Sequence, residues 1–246
     1  GDTAILVIDT GMGAANGKTV LEEVQKLGAN KKLYLVTTHV HPEHDLGAQA
    51  FPASTTMIRS NAQVKEIAEE GMRTADVFRG RSDVNKQLLE GAQFRKADVT
   101  FDDKYELDLG GVKAQIFALG PSHTQGDTGV FVAGERVLFS GDVAMKPLPA
   151  FASSKASAKQ WLLSLNKLDA MKPAIVVPSH GPIGDAAYIA DYRKYITRIQ
   201  TRAAALKKDG KTVDQAVEAI TTELKPDYPD TSRAAGAIRA AYNEAK

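Results

Sequence analysis

The chain has 246 residues, 43% of them hydrophobic and 25% charged, with 31 basic against 30 acidic side chains. A net charge of +1 sets up no long-range field for nucleic acid or an anionic membrane. The lack of cysteine excludes disulfides, thiolate nucleophiles and Cys–zinc sites, and no apolar run approaches the ~18 residues of a membrane-spanning helix.

In chain order, an apolar run over residues 3–9 predicts a buried strand, closed by the turn Thr10-Gly11-Met12-Gly13. Helical spacing predicts a helix over 18–27, and residues 32–38 read as a second strand ending at His39. A short helix over 47–50 and a strand over 56–60 follow. Residues 61–91 are polar and helix-prone, with Val64, Ile67, Ala68 and Met72 on one stripe. So long a connection suggests a lid, with 72–78 as its apolar wall. Gly110-Gly111 and Gly134-Glu135 each sit between two strand-like runs, as in hairpins. A helix over 156–171, carrying Trp161 into the core, stops at Pro173, and a short strand over 174–178 ends near His180. After Gly184 only helices are expected, over 186–208, 213–224 and 232–245.

The mixture predicts a layered α/β fold, with a catalytic domain over residues 1–184 and a helical extension over 185–246. The chain opens directly onto its first strand, which fits a removed leader or a trimmed sequence. A removed leader would make the protein periplasmic or secreted; otherwise the cytoplasm is expected.

The five histidines are His39, His41, His44, His123 and His180, all at or beyond predicted strand ends. Three fall in Thr38-His39-Val40-His41-Pro42-Glu43-His44-Asp45, with Glu43 among them. Zinc takes imidazole nitrogens and carboxylate oxygens in roughly tetrahedral shells. His39 and His41 are two apart at a strand end, so their side chains leave on one face and reach one metal together. Pro42 then turns the chain, directing Glu43 and His44 towards a second position. One cluster does not fill two shells. His123, Asp142 and His180 each follow an apolar strand beside Gly or Pro, where scaffolds place catalytic groups.

His39-Val40-His41-Pro42-Glu43-His44 resembles the His-x-His-x-Asp-His signature of the metallo-β-lactamase superfamily. His123, Asp142 and His180 resemble its remaining ligand positions in order, and Ile8-Asp9-Thr10-Gly11 resembles the Asp-Thr-Gly turn that precedes the signature. The likeness runs from Asp2 to about Gly184, although the family usually has one or two strands before that turn. It implies an αββα sandwich with metals at one edge. It implies His39, His41 and His123 on a first zinc, Glu43, His44 and His180 around a second, and Asp142 bridging the two. Asp9 would support the site without binding metal.

The resemblance further implies a hydrolase with one or two zinc ions per chain, in which a metal-bound hydroxide attacks an ester, thioester, lactone or β-lactam carbonyl. Glu43 and Asp142 are the expected catalytic carboxylates. Glu43 stands where the family carries Asp, so it either binds the second metal from a shifted position or orients the water; Asp45 is a weaker substitute. Asp142 resembles the bridging residue of thioesterases, lactonases and phosphodiesterases, where true β-lactamases carry Cys or Ser, so any β-lactamase activity is expected to be weak. The alternatives on the same ligands are iron with oxygen chemistry, or phosphodiester hydrolysis. A serine hydrolase built on Ser122 lacks the Gly-x-Ser-x-Gly elbow. Lys146 is a candidate partner for a substrate carboxylate, and Thr124 and Asp127 for hydrogen bonds that support the ligands. The expected partner is a small-molecule substrate, without nucleic acid or membrane; a homodimer is left open.

Overall fold

The structure, a computed structural model, describes all 246 residues. It is mixed α/β, with two sheets flanked by helices. The Cα framework divides into two compact units: Gly1–Ala118 with Thr128–Gly134, and Leu119–Asp127 with Glu135–Lys246. No helix is long and apolar enough to cross a membrane.

The first unit starts with strand β1 (Ala4–Ile8), helix α1 (Gly13–Gly28) and strand β2 (Lys32–Val36). A short helix α2 (Pro42–Asp45) then leads through a 3-10 turn (Leu46–Ala50) to strand β3 (Thr56–Ser60). Helices α3 (Asn61–Glu66) and α4 (Met72–Arg79) are joined by a π-helical stretch (Ile67–Gly71), and α5 (Asp83–Leu88) follows. Strand β4 (Val99–Phe101) completes a parallel sheet in the order β1-β2-β3-β4. Strands β5 (Lys104–Asp108), β6 (Lys113–Ala118) and β7 (Thr128–Val132) run antiparallel.

Ile8 pairs with Val36 at the ends of β1 and β2, so both strands release the chain at the same sheet edge. Val7, Val24, Leu35, Ala48, Phe51 and Met57 form the core between α1 and the parallel sheet. Two glycines permit that packing. A Cβ on Gly17 would stand 2.1 Å from the Gly47 carbonyl oxygen, and one on Gly47 would stand 2.0 Å from that of Thr10. Any side chain there would push α1 away from the turn after β1.

The second unit holds strand β8 (Val137–Gly141), helix α6 (Ala158–Ala170) and strand β9 (Ile175–Pro178). Helices α7 (Ala187–Lys208), α8 (Val213–Leu224) and α9 (Ala234–Glu244) complete it. Strands β8 and β9 are parallel, with an irregularity between Phe139 and Gly141, and Gly141 pairs with Pro178. Asp142 and Ser179-His180 therefore leave neighbouring strand ends. Helix α7 buries an apolar stripe that includes Ile189, Ile196, Ile199 and Leu206. The Glu244 carboxylate accepts the Ala158 and Lys159 amides at 2.9 Å each, capping the start of α6 from the far end of the unit. Lys207 Nζ donates to the Tyr242 and Ala245 carbonyls, and Tyr242 Oη to the Lys211 carbonyl.

Candidate metal centre

In the first unit the turn after β1 organises the histidine loop. Asp9 sits at a φ of 61°, a left-handed conformation uncommon for a residue with a side chain. Its carboxylate is thereby turned towards the end of β2. There it accepts the Thr38 amide at 2.7 Å and the Thr38 hydroxyl at 2.9 Å, and meets His44 Nδ1 at 2.9 Å. Thr38 Oγ1, having given its proton to Asp9, lies 3.0 Å from His39 Nδ1 and accepts from it. Both imidazoles thus carry their proton on Nδ1, which turns the Nε2 lone pair of each into a ligand atom. Thr10 holds the other end of the loop. Its amide donates to the His44 carbonyl at 2.8 Å, and its hydroxyl reaches the carbonyls of His44 and Asp45 at 3.1 Å. Pro42, at the first position of α2, presets the turn.

His39 Nε2 faces His41 Nδ1 at 3.0 Å, and Glu43 Oε1 lies 3.9 Å from His44 Nε2. The edge of a zinc tetrahedron with nitrogen ligands is about 3.3–3.4 Å. The first pair is slightly inside that edge and the second about half an ångström outside it. Phe78 packs its ring 5.3 Å from that of His41, so the segment expected as a wall does line the histidine loop.

In the second unit Asp142, nearly buried, lies between two histidines. Its Oδ2 is 3.4 Å from His123 Nε2 and its Oδ1 is 3.7 Å from His180 Nε2. These are spacings of ligands around a metal rather than of hydrogen bonds. Asp142 Oδ1 is buried and accepts no hydrogen bond. His123 Nδ1 donates to the Ala150 carbonyl at 2.5 Å, again leaving Nε2 as the ligand atom. Asp127 shapes the His123 loop by accepting the amides of Ser122, His123 and Thr124 and the Thr124 hydroxyl, the last at 2.7 Å. Trp161 Nε1 donates to the Val143 carbonyl at 2.9 Å, which fixes the residue after Asp142. His180 is the most exposed of these ligands, at 40% of its side chain.

Each unit therefore carries candidate metal donors: His39, His41, Glu43 and His44 in the first, and His123, Asp142 and His180 in the second. The lone pairs of His39, His44 and His123 are oriented by hydrogen bonds, and the buried Asp142 Oδ1 lacks a donor, so the donor chemistry fits zinc.

Several neighbours are placed differently from what their sequence position suggests. Asp45 is no substitute ligand, because it is fully buried and its carboxylate is held by Arg59 and by the Thr37 hydroxyl at 2.7 Å. Ser122 is buried, with its hydroxyl given to the Leu119 carbonyl and Ser164, so it has no nucleophilic role. Lys146 is exposed. Arg59 was not signalled by the sequence at all, since a charged residue in a short strand gives no hint of a buried partner.

The family model of the metallo-beta-lactamase superfamily matches residues 1–180. A linear primary-alkylsulfatase from Pseudomonas sp. (strain ATCC 19151) is 25% identical over 252 residues, covering 88% of this chain and 48% of its own length. Among solved structures, a metallo-beta-lactamase from Pontibacter korlensis superposes with a TM-score of 0.62 at 22% identity, over 77% of this chain and 80% of that one. The stereoselective inverting sec-alkylsulfatase Pisa1 from Pseudomonas sp. gives a TM-score of 0.77 at 17% identity, over 99% of this chain and 46% of that one. The chain thus spans about half the length of these alkylsulfatases, and at such identities the structural likeness speaks for the fold alone.

Proposed function

We propose that this chain, which belongs to the metallo-β-lactamase superfamily, is a hydrolase that uses two zinc positions to cleave ester, thioester or lactone bonds, with β-lactams as poor substrates. By the family's pattern, His39, His41 and His123 would hold the first metal and Glu43, His44 and His180 the second, with Asp142 available to both. The observation that carries this reading is Asp142, which turns each carboxylate oxygen towards a different histidine. Residues 1–184 carry the chemistry and 185–246 extend them.

Bound zinc supplies a water acidified towards a pKa of ~7 and a Lewis acid for the substrate oxygen. The protein's part is preorganisation. Asp9 orients His44 directly and His39 through Thr38, keeping both rings in the tautomer a metal needs. Asp127 and the Ala150 carbonyl do the same for the His123 loop. Glu43, a methylene longer than aspartate, would reach the second metal from a shifted position, or orient the attacking water in place of binding it. No side-chain nucleophile is needed, which suits a chain without cysteine and with Ser122 sequestered.

The alkylsulfatase relative favours a second reading, in which the scissile bond belongs to a sulfate ester. Metal analysis of the purified chain, followed by turnover of a lactone, a thioester, an aryl phosphate, an aryl sulfate and nitrocefin, tests both. The expected result is about two zinc ions per chain and fastest turnover of a carbonyl ester, with His41→Ala losing metal and activity. Preference for the aryl sulfate moves the assignment to the second reading. Absence of any bound transition metal, with His41→Ala as active as the parent, overturns both; bound iron with oxygen consumption overturns hydrolysis.

A further inference from the structure

A cleft of about 510 Å³ lies wholly within the second unit. Its floor is one face of α7, where Tyr188, Tyr192 and Tyr195 follow each other at helical spacing. One wall is the segment 145–148, which continues from Asp142; the other is the α8–α9 connection, with Tyr228 and Arg233. The cleft begins beside this unit's ligands. Lys146 Cβ lies 3.2 Å from where a Cβ on Gly181, the residue after His180, would stand. Burial, reinforced by the Asp142 charge, pushes the Tyr192 phenol well up, so it stays protonated.

The polar groups of the cleft are not all committed. Tyr188 donates its hydroxyl to the Pro182 carbonyl at 3.0 Å, and Tyr192 to that of Pro147 at 2.5 Å. Tyr195 is about 1% exposed and its hydroxyl is buried with no hydrogen-bond partner. A buried, unsatisfied hydroxyl weakens the fold, and a bound acceptor would explain its presence. The Tyr228 ring meets that of Tyr195 edge-on, with centroids 5.1 Å apart, extending an aromatic wall. At the rim, Arg233 Nη1 donates to the Leu148 carbonyl at 3.1 Å, which pins the guanidinium beside the cleft and leaves its other N–H groups for a ligand. Of the lining carboxylates, Asp227 is paired with Arg198, and Asp230 accepts the Ser232 amide at 2.9 Å; Asp191 and Asp230 form no salt bridge, nor do the cations Lys146, Lys194 and Arg233. Three cations thus face two carboxylates outside any salt bridge, an excess of one positive charge, and Arg233 is the cation held in place beside the tyrosines.

We propose that this cleft seats the part of the substrate that is not hydrolysed, and that this part is an aromatic organic anion, its planar body against the tyrosines and its carboxylate or sulfonate at Arg233. The ligand's role as substrate rests on the hydrolase reading; its binding does not.

Calorimetric titration of the full chain with 2-naphthoate tests the site, with cyclohexanecarboxylate as the non-planar control and 2-naphthol as the uncharged one. The naphthoate should bind at least tenfold more tightly than either control. Arg233→Ala should weaken it about tenfold and Tyr195→Phe about fivefold. Tyr195→Phe removes only the hydroxyl, so the melting temperature should hold or rise; a tyrosine with a merely structural role would show that rise with unchanged binding, which overturns the proposal. Failure of 2-naphthoate to bind, or equal binding by both variants and the parent, also overturns it. Tight, variant-sensitive binding in a chain that cleaves no ester keeps the cleft and removes the hydrolase reading. Ester cleavage without naphthoate binding does the reverse.

Discussion

Replacing Arg59 by methionine should destabilise the protein more than any other single change near the histidine loop. Arg59 and Asp45 are 1% and 0% exposed. Arg59 Nη2 donates to Asp45 Oδ1 at 2.8 Å, and Nη1 makes a close contact with Oδ2, which also accepts from Thr37 at 2.7 Å. Methionine fills much of the same space but leaves Asp45 as a buried carboxylate with one hydroxyl donor. Removing one partner of such a pair costs about 3–5 kcal/mol, because the remaining charge is uncompensated. At roughly 2–4 °C per kcal/mol for a chain of this size, the melting temperature should fall by about 6–20 °C. Removing both charges should be milder, so Asp45→Leu combined with Arg59→Met should recover at least half of the loss. Scanning calorimetry and urea unfolding of the parent, both single variants and the double variant measure this. An Arg59→Met variant within about 1 kcal/mol of the parent, or a double variant no better than the single, would refute the reasoning.

Asp9→Asn keeps the shape of the turn but weakens the acceptor of Thr38 and His44, and should lower metal affinity about 10–100-fold in competition with a chelator; unchanged affinity would count against its orienting role. Glu43→Asp shortens the side chain to the length the superfamily uses, and should tighten the second metal about tenfold; a loss of that metal would mean the longer side chain is needed to reach it. Asp127→Ala orphans three backbone amides and the Thr124 hydroxyl, and should cost about 3 kcal/mol in urea unfolding; a cost below 1 kcal/mol would show that the loop holds without it.

The candidate site was legible because its residues are chemically rare and locally spaced. His39, His41 and Glu43-His44 announce themselves within six residues, and the structure adds how Asp9 and Thr38 set their tautomers. Much of the fold was legible for a similar reason: β3 and α8 fall where their periodicity puts them. Strand β4 escaped because three residues carry no period, and β2 ends at Val36, two residues short of the expectation, where Thr37 and Thr38 turn to Asp45 and Asp9. The buried pair of Arg59 and Asp45 and the unsatisfied Tyr195 hydroxyl were invisible for a different reason. Each depends on residues far apart in the chain, and nothing local distinguishes them from an exposed charge or an ordinary core tyrosine.

The carboxylate of Glu244 on the first amides of α6 closes a ring of covalent and hydrogen-bonded links through the second unit. With Lys207 and Tyr242 fastening α9 to the end of α7, the exposed turn at Gly210 is enclosed by contacts on both sides. A protease cut in that turn would open the backbone without releasing α8 and α9, and the two fragments would migrate as one species until denaturant separated them. The amides of Ala158 and Lys159, which belong to the fast-exchanging first turn in most helices, would be among the slow ones here. Trp161, one turn further along and bound to Val143, would thereby sense the fit of the chain's last helix at the strand end that carries Asp142.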